Sequence, residues 1–169
     1  MTPRALRLAT TTALAAVTLA ACGAAGLTLA VPTITIPGDS TAGTVCYARG
    51  EVTTRVGITH ATYDAVATYR SSAVLGTGTS VDVVVYGRSS EPPSTCVAAG
   101  PDDRPLGGPF TLELEEPLAV SVGAGDAGAE LATLVRGGAY WLGVSLDSGV
   151  SLGGERSITF AQGRVRVRF

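Results

Sequence analysis

Residues 58–69 read Ile58-Thr59-His60-Ala61-Thr62-Tyr63-Asp64-Ala65-Val66-Ala67-Thr68-Tyr69. On an extended chain Ala61, Tyr63, Ala65, Ala67 and Tyr69 share one side, and Thr62, Asp64, Val66, Thr68 and Arg70 share the other. Successive strand side chains point to opposite faces, so this alternation predicts a half-buried antiparallel strand.

Similar patterns lie on both sides of it. Upstream, Thr44–Ala48 and, across Gly50, Glu51–Val56 read as strands. Leu27, Leu29, Val31, Ile34 and Ile36 fit a first edge strand, because Pro32 and Pro37 cannot donate to a central ladder. Downstream come Val81–Tyr86, Phe110–Leu114, Leu118–Val122 and Tyr140–Leu146. Ser157–Ala161 and Arg164–Phe169 follow, separated by Gln162-Gly163. Ser71–Thr79 is Gly-rich, and Ser89–Pro109 is the longest irregular stretch. Ala129–Val135 fits a short helix, while its Gly-rich flanks and two-sided apolarity fit a strand as well. About nine short strands with regular turn signals predict an all-β fold, a single antiparallel β-sandwich of immunoglobulin-like or jelly-roll-like kind. The immunoglobulin cysteine pattern is not met, since Trp141 follows both Cys46 and Cys96.

The N-terminal segment is built differently. Arg4 and Arg7 precede an apolar run from Leu8 to Ala20, and small residues follow. A spanning helix needs about 20 apolar residues, so this shorter run reads as an export signal. Leu19-Ala20-Ala21-Cys22 resembles the lipobox of bacterial lipoproteins. The resemblance implies cleavage before Cys22, a diacylglycerol on its sulfur and commonly acylation of the new amino group. In enteric bacteria an Asp after the cysteine favours the inner membrane; Gly23 stands here and leans toward the outer one. The expected organisation is a signal peptide over 1–21, a lipidated Cys22 with its tether over 22–32, and the sandwich over 33–169.

Cleavage there leaves 148 of the 169 residues, enough for one domain with a real core. Of 12 basic residues, all arginine, Arg4 and Arg7 depart, so ten face 14 carboxylates, a net charge near −4. That balance disfavours general nucleic-acid binding. With Cys22 lipidated, Cys46 and Cys96 form an even pair in an oxidising compartment, and a disulfide between them is expected. Two thiols and a single histidine make a poor zinc site, so no metal or other cofactor is expected.

No catalytic motif stands out. His60 is the one neutral-pH proton carrier by type, but no serine lies in a recognisable nucleophile elbow. It falls on the polar side of its strand and reads as a solvated histidine. Asp102-Asp103, Glu113, Glu115 and Glu116 could offer oxygens to calcium, but the loop spacing is missing, and paired aspartates between prolines are usual turn formers. Arg164, Arg166 and Arg168 share one face. They could meet lipid phosphates or an acidic partner; cross-strand pairing with acids such as Glu113 and Glu115 is the expected role. Trp141 points away from Tyr140, Leu142, Val144 and Leu146 and sits beside small Gly143 and Ser145. An exposed tryptophan over small neighbours would make a platform for sugars or peptides, unless a loop or sheet covers it.

The expected protein is therefore a non-enzymatic envelope lipoprotein, held at the cell or outer membrane by Cys22, with another envelope protein or a polysaccharide as partner. The alternatives are an outer-membrane barrel, because Val165, Val167 and Phe169 are similar to a barrel's closing strand, and a secreted hydrolase using His60.

Overall fold

A computed structural model describes residues 26–53, 56–71, 80–147 and 152–169. The signal segment, Cys22 and the 72–79 connection lie outside the described residues. Among the described residues, ten strands and one helix follow in chain order: β1 (Leu27–Ala30), β2 (Ile34–Ile36), β3 (Thr44–Glu51), β4 (His60–Ser71), β5 (Ser80–Arg88), β6 (Cys96–Ala98), β7 (Arg104–Glu113), β8 (Pro117–Val122), α1 (Asp126–Arg136), β9 (Ala139–Leu146) and β10 (Arg156–Arg168). Two antiparallel sheets pack face to face as a β-sandwich. Sheet 1 has the order β1-β10-β4-β8, with β2 also on β10; sheet 2 runs β6-β3-β9-β5-β7. The sheets do not close into a barrel, so the barrel alternative does not fit the described residues.

The strand read from residues 58–69 is β4, at the centre of sheet 1. Ala61, Tyr63, Ala65, Ala67 and Tyr69 are buried, while Thr62, Asp64, Val66 and Thr68 between them are half-buried. The buried five share one apolar core with Ile34, Ile36, Ile158 and Phe160 of the same sheet and with Leu112 and Leu142 of sheet 2. Each fully buried aliphatic or aromatic side chain stabilises the fold by roughly 1.5–3 kcal/mol.

Several boundaries differ from the sequence expectation, each for a local reason. β3 passes through Gly50 without a break, because a Cβ there would lie 2.3 Å from the Tyr140 ring; the glycine makes room for it. Of the expected 51–56 strand, Glu51 instead ends β3, Val52 is buried outside any strand, and Val56-Gly57 form a turn. The expected 89–109 loop contains β6 and the start of β7. Gln162-Gly163 is not a turn between two strands but a bulge within β10, where the register jumps between Ala161 and Arg164 and Gln162 takes a positive φ of 56°. One extra residue switches the buried face from Ile158 and Phe160 to Val165 and Val167. At that same point β10's partner changes from β2 to β1. β1 therefore belongs to the sandwich, although its residues fall in the expected tether.

The ambiguous 123–138 stretch folds as α1. Leu131, Leu134 and Val135 are buried at helical spacing, Asp126 opens the first turn and Arg136 closes the last, both favourable to the helix dipole. Arg136 also donates to the Ile58 carbonyl at 3.3 Å. Among the described residues no helix is long and apolar enough to cross a membrane.

Candidate functional site

The outward face of sheet 2 brings together most of the chemistry-bearing side chains. Register sets it out in rows. Arg49, Trp141 and Arg88 stand side by side on β3, β9 and β5; Tyr47, Gly143 and Tyr86 form the next row. Gly143 has no side chain, so the Tyr47 ring and Val45 close over it: a Cβ there would lie 2.5 Å from Tyr47 Cε1 and Val45 Cγ1. The small neighbours that suggested a flat platform are thus filled from β3. Trp141 points outward as expected but is only 8% exposed, packed with Val45 and Tyr47. Arg49 lies over its ring, 5.8 Å from the centroid. An open stacking platform at Trp141 is therefore corrected: the indole is roofed.

Arg88, also 8% exposed, is the buried charge of this face. Its guanidinium reaches Asp102 Oδ2 at 3.2 Å and Asp103 Oδ1 at 3.4 Å, and donates to Ser90 Oγ at 2.9 Å. It also lies 5.6 Å from the Tyr47 ring centroid. Ser90 donates to Asp102 at 2.8 Å, and the Tyr47 hydroxyl donates to Asp103. Burial, and then the Asp103 carboxylate, push the Tyr47 hydroxyl well above the usual tyrosine range. Asp103 does serve a turn, accepting from the Gly100 amide at 2.7 Å, and its side chain is 1% exposed. The network clamps the 89–103 segment onto the sheet. Neither Arg88 nor Tyr47 was singled out in the sequence; the usable signal was an arginine continuing the outward Val84-Tyr86 alternation.

Beneath this face, Cys46 and Cys96 form the expected disulfide. They are direct cross-strand partners on β3 and β6, with Cys46 fully buried. The bond holds a three-residue edge strand to the sheet.

The other candidates are dispersed. His60 starts β4 opposite Arg168 and rests against α1, since a Cβ on Gly128 would meet its ring at 2.0 Å. Among the described residues it makes no hydrogen bond to a serine or carboxylate, so the hydrolase alternative gains no relay. The acidic residues considered for calcium are separated: Asp102 and Asp103 bind Arg88, while Glu115 accepts from the Ser71 amide at 3.1 Å across the fold. Among the described residues, Arg164, Arg166 and Arg168 make no ion pair with Glu113 or Glu115. β10 lies beside β4, and Arg166 pairs with Asp64 at 3.3 Å. An open cleft of about 660 Å³ lies where β2, β4 and β10 end, walled by Pro37, Arg70, Glu115 and Arg156.

Comparison with protein-family models finds no match to this chain, and comparison with curated proteins finds none either. The site rests on its own geometry. That geometry is one of shape and charge: the buried guanidinium is saturated by carboxylates, a hydroxyl and a ring, and it holds a rigid outward surface.

Proposed function

We propose that the protein is a lipid-anchored envelope protein, with acyl chains on Cys22 and a β-sandwich that binds another envelope protein or a polysaccharide, or has a structural role there, without catalysing a reaction. The cysteine distribution carries this reading. Cys46 and Cys96 are joined to each other, so the one cysteine outside that pair is the one that ends the lipobox-like Leu19-Ala20-Ala21-Cys22. A disulfide also suits an exported, oxidising compartment. Stable anchoring needs two acyl chains, at about 0.8 kcal/mol per buried methylene, and a triply acylated cysteine supplies them.

Growth of expressing cells with a clickable fatty-acid probe tests this reading. The mature protein is expected to carry the probe and stay with membranes, and Cys22→Ala is expected to abolish labelling. An unlabelled wild-type protein that leaves with the medium would contradict it.

A further inference from the structure

We infer that the outward face of sheet 1 around Arg164, Arg166 and Arg168 lies against an anionic phospholipid surface, which rests on the lipid anchor proposed above. Three observations converge on one end of the sandwich. β1 is the first described strand, and Leu27 pairs with Val167 between Arg166 and Arg168. Gly26 still lies against β10, where a Cβ would sit 3.3 Å from the Val167 carbonyl oxygen. Cys22 is four residues before that point, a span of at most about 14 Å. An acylated Cys22 would hold this end of β10 within about two Debye lengths of the headgroups at physiological salt.

Charge is the second observation. The mature chain is acidic, yet the outward strand positions of sheet 1 carry one described carboxylate, Asp64, and it pairs with Arg166. Arg164 and Arg168 are exposed and make no ion pair among the described residues. The third is apolar. Val56 is 87% exposed and Phe169 is 49% exposed, and these are the large hydrophobic residues that the described fold leaves open. They are neighbours at this end, since a Cβ on Gly57 would lie 3.7 Å from Phe169 Cδ1. Guanidinium groups beside exposed apolar side chains suit the boundary between headgroups and acyl chains.

The test uses the full lipidated protein, isolated with the fatty-acid probe and reconstituted in two kinds of vesicle, phosphatidylcholine alone or mixed with phosphatidylglycerol. Arginines are modified with phenylglyoxal and mapped by mass spectrometry. Arg166, Arg104 and Arg49 have similar side-chain exposure, 61%, 60% and 55%. On anionic vesicles, modification of Arg164, Arg166 and Arg168 is expected to fall about fivefold, and high salt is expected to restore it. Arg104 and Arg49, on sheet 2, are expected to react equally in both. Arg164→Gln with Arg168→Gln keeps the Arg166–Asp64 pair and is expected to abolish the protection of Arg166 while labelling persists. Probe-labelled wild type with equal modification in both vesicles overturns the membrane-facing surface alone. Protein without probe overturns the anchor, and this inference with it.

Discussion

Trp141 stands between two arginines, Arg49 across β3 and Arg88 across β5, in a single row on the outward face of sheet 2. The Arg49 side is exposed and the Arg88 side is buried in a carboxylate network. The indole is therefore enclosed although it points away from the core.

Trp141 is the single tryptophan of the sequence, so its fluorescence reports this enclosure. Native protein is expected to resist acrylamide quenching, and urea is expected to expose the indole with a red shift of its emission. Gly143→Ala places a methyl in the space of Tyr47 and Val45. It is expected to destabilise by about 1–3 kcal/mol and to increase quenching. Easy quenching of the native wild type would contradict the roofed indole.

Removing the Arg88 guanidinium leaves Asp103 buried without its cation. Arg88→Met is expected to cost about 3–5 kcal/mol in urea unfolding, the usual cost of breaking a buried pair from one side. Arg49→Met removes a half-exposed partner of Glu51 and is expected to cost under about 1 kcal/mol. Equal losses for the two would contradict the buried character of Arg88.

The tyrosines divide by their hydroxyls. Those of Tyr63, Tyr69 and Tyr140 are buried with no hydrogen-bond partner in the described structure, whereas Tyr47 donates to Asp103. Replacing any of the first three by Phe is expected to be neutral or stabilising, and Tyr47→Phe to cost about 1.5–3 kcal/mol. Thermal or urea unfolding of the four variants checks this contrast.

Alkaline titration follows from the same core. Burial raises the Tyr63 hydroxyl strongly, with a further push from neighbouring Tyr140, whose own value burial raises to about 12. Unfolding lets both return to about 10, so above that pH the unfolded chain loses protons first and stability falls as pH rises. Below about 10 both states are protonated, and these groups add no slope. In the Tyr63→Phe, Tyr140→Phe double variant the alkaline fall is expected to shrink. An unchanged fall would place its origin elsewhere.

The architecture was legible where one strand face is buried and the other wet. β4, β5, β8 and β9 lie close to where their alternation predicted them. The pattern misled where one residue changes the phase: Gln162 inserts a bulge that looks like a turn, and Gly50 looks like a break but serves a ring packed on it. The helix was ambiguous because its flanks are glycine and its apolar residues fall on both sides of an extended chain. The site was harder to read. Cys46 and Cys96 were found by counting, but the roof over Trp141 depends on which strands flank β9, and no local pattern carries that. Arg88 was missed for the same reason: its partners are 14 and 15 residues away, across a loop.

The most direct measurement is mass spectrometry of the N-terminal peptide of the membrane-derived mature protein. The account predicts a chain that begins at Cys22 and carries a diacylglycerol thioether on its sulfur, with or without an acyl group on its nitrogen. A mature peptide in which Cys22 is an unmodified thiol, or from which Cys22 has been removed, would contradict it.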